Sequence, residues 1–458
     1  MWGMNPKNRK VIFYAFFALF LIVGAYLLIA ANGWNIDFSH FRFLKTGGLF
    51  LKFSPTDAVL TINEEIREFS KNFLTNGVLI KNLVPKDYEV VISKTGFQTW
   101  NKKLKIEPDR VPSADYIRLW PTTFKDELIF SGPVKNFWLT EKGLVYQTKD
   151  GSLHFEKITL KGKEVIKSDP KSKLLITFDE PNHFAIDLEE PLAAVNINQL
   201  FNSLRQRQLN LKGTVAVKDY FFHPFSPNKV ILASKNGLYS LDLKKIQLEL
   251  LFANPEELES IAVSNNEIIA LDVKNNLIVN NLFLKTTATS SIFEAPLTSK
   301  SGLAGLNREG TKIFMKNPDN KLAFYDRNSK KLIEIGDNVR DFHVSTEGKR
   351  LALISETGEL KIYYLSEYAD EIKKSEAGSV EVVAASGLDA ESDFSWLPDL
   401  PNYGLVLNNN NLFAQEIRDY LPFKSYPLVS KINKYVPWGE LIYLLKENGE
   451  LSKIEPGF

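Results

Sequence analysis

The first pattern along the chain is an unbroken apolar run. Residues Val11 to Ala31 carry no charge, and Lys7, Arg9 and Lys10 precede them. At 1.5 Å per residue, a helix of this length measures about 31 Å, close to the roughly 30 Å hydrocarbon core of a bilayer. The run therefore predicts a transmembrane helix at residues 11–31. The basic residues predict a cytoplasmic tail at residues 1–10 and a single-pass protein whose remaining domains lie outside the cytoplasm.

Two alternatives to an anchor remain open. A cleaved signal peptide has a shorter apolar region, usually 7 to 15 residues, that ends in small residues. Ala30 and Ala31, followed by Asn32-Gly33, would still allow cleavage. The other alternative is a buried helix of a soluble protein. We favour the uncleaved anchor because the run is long, and we assign residues 32–46 as a juxtamembrane linker in which Trp34 suits the membrane boundary.

The pattern changes to alternation after residue 46. Apolar residues recur at every second position in several short runs between residues 47 and 121, which is the spacing of half-buried strands. Turn-forming Pro and Gly residues separate these runs. The segment therefore predicts a small β-sandwich. The alternating positions are Leu49, Leu51 and Phe53; Val59 and Thr61; Tyr88, Val90 and Ile92; Leu104 and Ile106; and Ile117.

Two motifs in this segment resemble the PEGA domain, a small β-sandwich of prokaryotic envelope proteins. Ser54–Ala58 stands where that family has Ser-Pro-x-Gly-Ala, and Pro85–Trp100 matches its hairpin, which ends in Gly-Tyr-x-x-Trp. Asp57 and Lys86 replace two glycines of the pattern. The resemblance implies an extracytoplasmic spacer without catalytic residues, in which Trp100 packs the core.

From residue 122 to 458 a longer pattern recurs: a short apolar strand, a Gly, Asn or Asp turn, a second apolar strand, and an aromatic-rich third strand. The mean spacing of roughly 43 residues is the length of a four-stranded propeller blade. Residues 122–458 therefore predict a β-propeller. About seven blades are expected, with six or eight as alternatives, because the first two copies are close enough to share a blade. The central strands lie near Leu144, Leu174, Val230, Ile268, Ile313, Leu351, Leu405 and Ile442.

The clearest copy, Phe342 to Leu365, resembles the Ser-Pro-Asp-Gly-Lys repeat of TolB-like and WD40-like propellers. Two insertions interrupt the repeats. Residues 196–208 place Ile197, Leu200, Phe201 and Leu204 at the spacing of an amphipathic helix, which we expect to pack on the propeller. Residues 367–393 are rich in Ala, Ser, Glu and Asp and predict a long mobile loop.

The amino-acid composition excludes several classes of function. The chain has 56 Lys and Arg against 55 Asp and Glu, spread along its length, so nucleic acid is not an expected partner. It has no cysteine, which excludes disulfides, thiolate metal sites and a cysteine nucleophile. Basic pairs such as Lys102-Lys103 are expected at solvated hairpin ends.

No catalytic motif stands out. The five histidines show neither an HExxH motif nor a pair at ligand spacing, and acidic turns such as the one at Asp272 lack a calcium-loop pattern. We therefore predict no catalytic residue, no metal and no cofactor, and we leave the binding residues unassigned. The histidines are His40, His154, His183, His223 and His343.

The leading hypothesis is a non-enzymatic surface protein: a membrane anchor at Val11 to Ala31, a PEGA-like spacer, and a propeller that binds a protein or a cell-envelope polymer. The alternative is an extracellular glycan or peptide hydrolase. It would need two carboxyl groups, about 5 to 9.5 Å apart for a glycosidase, in an apolar-walled cleft on the propeller axial face. Pro112 and Pro121 flank the last spacer strand, and we expect Trp120 to pack at a stiff junction between the two domains.

Overall fold

A computed structural model supplies the coordinates. It describes residues 6–31, 34–37, 42–66, 77–291, 302–369, 374–397 and 399–457, apart from 236, 255, 265, 275, 308, 385–386 and 419. The first half of the predicted cytoplasmic tail, residues 1–5, lies outside these ranges, as does His40.

The N-terminal segment forms the helix α1 (Pro6–Ala31), followed by a two-stranded sheet of β1 (Trp34–Asp37) and β2 (Arg42–Lys45). Apolar side chains of α1 such as Val11, Phe16 and Phe20 are exposed. Among the described residues, no helix has the combination of length and apolar character needed to cross a membrane.

The chain forms two compact units. The first, which we call the sandwich unit, comprises Met1–Thr123 together with Ala369–Ser375 and Gln415–Leu428. The second, the propeller unit, comprises Phe124–Tyr368, Glu376–Ala414 and Val429–Phe458. The two short segments of the sandwich unit that come from beyond residue 368 were expected in the propeller. Alternation within one strand does not reveal which neighbouring unit that strand contacts.

The sandwich unit contains two sheets, which confirms the predicted β-sandwich. The three-stranded sheet has the order β6-β3-β9, with β3 and β9 parallel, and the four-stranded sheet has the order β5-β4-β7-β8. The strands are β3 (Gly47–Ser54), β4 (Val59–Ile62), β5 (Glu65–Ile66), β6 (Val78–Leu83), β7 (Asp87–Ser93), β8 (Trp100–Lys105) and β9 (Ser113–Arg118).

Alternation explains the core of the sandwich unit. Leu49, Leu51 and Phe53 on β3 are buried, and the alternate residues of β7 and β8 are buried in the same way, because successive side chains of a strand point to opposite faces. In β4 the buried residues are Leu60 and Ile62, whereas Val59 is exposed. The inward face of β4 is therefore the one opposite to our expectation.

The propeller unit is built from four-stranded antiparallel sheets, which we number as blades in chain order. Blades 1 and 2 contain β11 (Val134–Thr140), β12 (Gly143–Thr148), β13 (Leu153–Phe155) and β14 (Ile158–Thr159), then β15 (Glu164–Lys167), β16 (Leu174–Asp179), β17 (Asn182–Asp187) and β18 (Val195–Asn196). Blades 3 and 4 contain β19 (Val217–Phe222), β20 (Lys229–Ser234), β21 (Gly237–Asp242) and β22 (Gln247–Ala253), then β23 (Leu258–Val263), β24 (Glu267–Asp272), β25 (Asn276–Asn281) and β26 (Thr286–Ser291).

Blades 5 to 8 follow the same plan. Blade 5 contains β27 (Gly302–Leu306), β28 (Lys312–Lys316), β29 (Leu322–Asp326) and β30 (Lys331–Gly336), and blade 6 contains β31 (Val339–Val344), β32 (Arg350–Ser355), β33 (Leu360–Tyr364) and β36 (Val380–Ala384). Blade 7 contains β37 (Asp393–Trp396), β38 (Tyr403–Asn408), β39 (Asn411–Glu416) and β40 (Ser425–Ser430), and blade 8 contains β41 (Ile432–Trp438), β42 (Leu441–Lys446), β43 (Leu451–Ile454) and the early strand β10 (Asp126–Phe130). The end of β39 and most of β40 belong to the segment Gln415–Leu428, which groups with the sandwich unit although its strands pair within blade 7.

The ring closes through blade 8. The early strand β10 pairs antiparallel with β43, with Asp126 opposite Ile454, so the start of the unit completes its last sheet. Buried clusters then join adjacent blades. One cluster contains Val134 and Phe137 of blade 1 with Leu445 and Leu451 of blade 8. This closure protects strand edges and makes the unit a β-propeller.

The described residues form eight blades, so the preferred number of seven is wrong and the alternative of eight is observed. Each predicted central strand is the second strand of a different blade. Leu144 and Leu174 lie only about 30 residues apart because β13 has three residues and β14 has two. A compact blade 1 therefore explains the spacing that suggested a shared blade.

The two insertions behave differently. Residues 196–208 contain the helix α2 (Ile197–Gln208), capped by Asn196, whose Oδ1 accepts the Gln199 amide at 3.0 Å. α2 packs its buried apolar residues against blades 2 and 3, as expected. Residues 367–393, expected to be a mobile loop, instead contain the paired strands β34 (Tyr368–Ala369) and β35 (Lys374–Ser375), and then β36 of blade 6.

Candidate functional site on the inner strands of the propeller

The first strand of a blade carries a polar position that recurs around the propeller unit. A register shift near the start of β11, β19 and β31 precedes Asn136, Asp219 and Asp341. The side-chain oxygens of these residues and of Asp393 accept the amide of the next residue at 2.7 to 2.9 Å. A bulge disturbs the ladder hydrogen bonds, and a short acceptor side chain replaces one of them. These acidic residues therefore have a structural reason to be there.

On blades 6 and 7 this position becomes part of a charged cluster. The Nε2 atom of His343 lies 3.2 Å from Oδ2 of Asp341 and 4.0 Å from Oδ1 of Asp393. One ligand atom from each of the three residues lies within 4.8 Å of the others. The side chains are 28% exposed for His343, 50% for Asp341 and 49% for Asp393, so the two carboxylates are accessible, whereas the Nε2 atom of His343 is itself buried.

A cavity of about 540 Å³ adjoins the cluster. Its other walls come from four blades and are mostly apolar, and the Trp396 Nε1 atom donates to the His343 carbonyl oxygen at 2.8 Å, which holds one wall against β31. The cavity is lined by Gly305, Asp341, Phe342, His343, Val344, Ser395, Trp396 and Pro437. The arrangement is a polar cluster beside an open cavity, where a ligand could meet both charged groups and apolar side chains.

The two carboxyl groups of the cluster are shifted in opposite directions. Burial raises the pKa of Asp341, but the hydrogen bond and charge of His343 outweigh it, so the net pKa is below the usual value. Burial also raises the pKa of Asp393, and the opposing charge of His343 does not cancel that rise. Divergent pKa values in one site separate a proton donor from an ionised partner.

Lys434 on β41 completes the charge distribution. Its Nζ atom donates to Oδ1 of Asn136 and to the Phe137 carbonyl oxygen, each at 2.8 Å. Burial lowers the pKa of Lys434, partly opposed by the charge of Asp393. Lys434 on blade 8 thus places a positive charge near Asp393 on blade 7.

The cluster can act chemically in two ways. Two carboxylate oxygens and one imidazole nitrogen are ligands that divalent cations accept, so Asp341, His343 and Asp393 are the residues that could hold a metal. The same carboxyl pair could exchange protons with a substrate. The absence of a metal stays a prediction, and the sequence spacing did not reveal the carboxylates beside His343. Its partner Asp393 is 50 residues away in sequence, and blade packing brings the two together.

Two other histidines, His154 and His183, make packing contacts. His154 stacks on Tyr146 with ring centroids 5.2 Å apart, and His183 packs between Phe178 and Tyr220. Asp272 is buried, and its Oδ1 accepts two turn amides, from residues 274 and 276, at 2.9 and 2.8 Å. It forms a turn, as its composition predicted.

The expectation that the pair Lys102-Lys103 is solvated is wrong for Lys102. Lys102 is buried in the sandwich unit, and its Nζ atom lies 2.5 Å from Oε2 of Glu416. Its neighbour Lys103 is exposed, but it lies within β8 and not at a hairpin end. Lys102 points inward because alternation on β8 places it on the opposite face from Lys103.

No family model and no curated protein matches the chain. Among solved structures, Hsv2 from Kluyveromyces lactis is 12% identical with a TM-score of 0.41, over 64% of this chain and 98% of that one. The computationally designed Ika8 protein is 12% identical with a TM-score of 0.43, over 72% of this chain and 98% of that one. Likeness this low carries no argument about function. The β-propeller assignment rests on the eight sheets and their closure.

Proposed function

We propose that the chain is a membrane-anchored, extracytoplasmic binding protein whose propeller unit holds a protein or a cell-envelope polymer at the inner-strand site. The observation that carries this proposal is the Asp341–His343–Asp393 cluster beside an apolar-walled cavity. Propellers gather strand ends and loops from several blades around one axis, which suits them to binding.

The anchor is supported by the sequence. The 21 residues from Val11 to Ala31 carry no charge and follow three basic residues. The sandwich unit would act as the spacer between this anchor and the propeller unit. A PEGA identity for the spacer rests on the motif residues at Ser54–Ala58 and Pro85–Trp100.

The chemistry of the cavity suggests what is recognised. Asp341 lines the cavity and offers an acceptor for hydroxyl or ammonium groups, Asp393 lies beside it near His343, and Trp396 and Phe342 offer apolar walls. A sugar chain or a basic peptide segment presents that combination of donors and apolar surface.

Two experiments test the proposal. Protease treatment of intact cells should remove the propeller unit, and deletion of residues 1–31 should release the protein from the membrane fraction. Pull-down from solubilised envelope should recover a partner that the Asp341→Asn/Asp393→Asn double variant no longer retains. Asp337→Asn is the matched control, because Asp337 is exposed at 68% and lies outside the cavity. Equal recovery by all three proteins would contradict the assigned site.

A second function is favoured by the opposed pKa shifts of Asp341 and Asp393. In a glycan hydrolase, Asp393 would donate a proton to the leaving group while ionised Asp341 would act as base or nucleophile. The oxygen atoms lie within 4.8 Å, near the short separation expected of retaining enzymes.

Hydrolysis of nitrophenyl glycosides and labelled casein tests this alternative. If it holds, activity falls as pH rises through the pKa of Asp393 and as pH falls through the pKa of Asp341. Either single Asn substitution should lower the rate on the order of a hundred- to ten-thousandfold. Activity that survives the double substitution would refute the assignment of these residues.

A further inference from the structure

A second cluster of donors surrounds the loop between β19 and β20, at residues 223–228 on blade 3. Cavities of about 690 and 650 Å³ adjoin this loop. They share four lining residues: His223, Phe225, Ser226 and Lys229. Neither cavity includes a residue of the Asp341–His343–Asp393 cluster. The larger cavity shares Gly305 with the cavity beside that cluster, whereas the smaller one shares no lining residue with it. The smaller cavity is therefore a separate place in the propeller unit where a ligand could be held.

His223 presents a donor to this place. Its Nδ1 atom accepts the amide of Phe225 at 3.2 Å. Burial lowers the pKa of His223, with a further contribution from the charge of Lys229, so the ring is neutral near pH 7. A neutral ring that accepts at Nδ1 carries its proton on Nε2. The free nitrogen is thus an N–H donor.

Lys229 adds a positive charge beside that donor. Among the described residues, no carboxylate lies within ion-pair distance of its Nζ atom, although the side chain is partly buried. The nearby cations are matched differently: Lys167 pairs with Asp219 at 3.3 Å, and Lys285 pairs with Glu249 at 2.6 Å. A partly buried ammonium without a counter-ion favours an incoming anion.

Ser240 supplies an independent observation. It is 3% exposed, lines the second cavity, and its Oγ atom has no hydrogen-bond partner among the described residues. Buried hydroxyl groups are nearly always satisfied. Ser234 in the same hairpin shows the ordinary case, because its Oγ atom donates to the Gly237 carbonyl oxygen at 2.9 Å. The unsatisfied group in a cavity wall points to a ligand that completes it.

The second cavity is lined in part by apolar side chains and in part by polar ones, among them Glu249, which is paired with Lys285. Phe225 is 52% exposed and Phe283 is 81% exposed, and both line it together with Leu250 and Leu282. Exposed aromatic rings beside hydrogen-bond donors suit a ligand with a charged group and an apolar face.

We propose that the 223–229 loop of blade 3 binds an anionic ligand, in which a carboxylate or phosphate group on a sugar-sized body meets His223 and Lys229. The body of the ligand lies against Phe225 and hydrogen-bonds to Ser240. This site is distinct from the inner-strand cluster, and it does not depend on the function assigned to that cluster.

Titration calorimetry of the full chain in a mild detergent tests the site with three probes: glucuronate, glucose 1-phosphate and glucose. At least one acid should bind on the order of tenfold more tightly than glucose, since charge-assisted hydrogen bonds exceed neutral ones. Whichever acid binds more tightly identifies the anionic group. Equal affinity for all three probes, or no binding of either acid at millimolar concentration, would overturn the proposal.

Substitutions locate the binding. Lys229→Gln should weaken acid binding on the order of tenfold and remove the preference over glucose. Ser240→Ala should weaken binding without lowering the urea midpoint, because its hydroxyl has no partner to lose, whereas Ser234→Ala should lower the midpoint and leave binding intact. Lys235→Gln is the control for charge, because Lys235 is exposed and pairs with Glu257 outside both cavities. Acid affinity unchanged by Lys229→Gln would refute the assignment.

Discussion

The buried ion pair of the sandwich unit allows a sharp test of its packing. Lys102 and Glu416 have fully buried side chains, with Nζ and Oε2 2.5 Å apart. The Lys102 Nζ atom also donates to the Pro422 carbonyl oxygen at 2.6 Å, and Glu416 accepts from the Tyr426 hydroxyl at 2.7 Å and from the Lys424 amide at 2.8 Å. The pair thus ties β8 to the segment Gln415–Leu428 of the same unit.

Burial sets the size of the effect. Removing one member of a buried pair leaves an uncompensated charge and costs about 3 to 5 kcal/mol, whereas replacing both members with apolar residues is often close to neutral. We expect Lys102→Met and Glu416→Leu each to destabilise the sandwich unit by about 3 to 5 kcal/mol. The double variant should lose much less free energy of unfolding than the two single variants lose together. The difference is the coupling energy of the pair, a few kcal/mol.

Urea unfolding of the full chain in a mild detergent measures these values, followed through tryptophan fluorescence because Trp100 and Trp120 are fully buried in this unit. Lys103→Met is the matched control. The Lys103 side chain is 74% exposed, and its Nζ atom lies 3.8 Å from Oδ2 of Asp87. The substitution should therefore change the free energy of unfolding by under about 1 kcal/mol. The reasoning fails if the double variant loses the sum of the singles, or if Lys102→Met resembles the control.

Three further predictions follow from buried groups. Trp120→Ala should cost about 3 to 5 kcal/mol and expose Lys125 to trypsin, and equal cleavage of wild type would contradict it. Arg350→Met should lower the urea midpoint, because the guanidinium lies 4.4 Å from the ring centroid of Tyr368 and 4.8 Å from that of Trp396. Arg350→Lys should not restore the midpoint, because an ammonium group does not stack on rings as a planar guanidinium does. Burial lowers the pKa of His183, so its stabilising contribution is present above about pH 6.5 and lost as pH falls through the folded pKa. In the His183→Phe variant, the urea midpoint should change less between pH 7.5 and pH 5 than it does in wild type. The same change in both proteins would argue against this account.

The second strand of each blade could be located from the sequence, because its buried residues are consecutive and apolar. The second strand of a blade is covered by neighbouring blades on both faces, so it reads as a continuous apolar run. Val230 to Ala233 is such a run, and every residue in it is buried. All eight predicted centres fell on these strands. The number of blades was underestimated because regular spacing was assumed, although strand length varies freely at the outer edge of a blade.

The outermost strand of blade 6 was missed for a related reason. Residues Val380 to Ala384 alternate between exposed and half-buried positions, which is a weak signal, because an edge strand has one sheet neighbour and one solvated side. Its composition is that of a loop, and only pairing with β33 makes it a strand. Pairing depends on contacts distant in sequence, which local composition does not report.

The inner-strand site did leave a sequence signal, but its meaning depends on the bulge. Asn136, Asp219, Asp341 and Asp393 are each followed by Phe or Tyr. The first residue of each pair accepts the next amide, and Phe137, Tyr220 and Phe394 are buried. An acidic or amide residue before an aromatic therefore marks the inner strand of a blade for structural reasons alone. His343 makes blade 6 different, because two residues after Asp341 it emerges on the same side of the strand. The combination Asp-Phe-His, facing Asp-Phe on the next blade, distinguishes the position of the proposed site from an ordinary bulge.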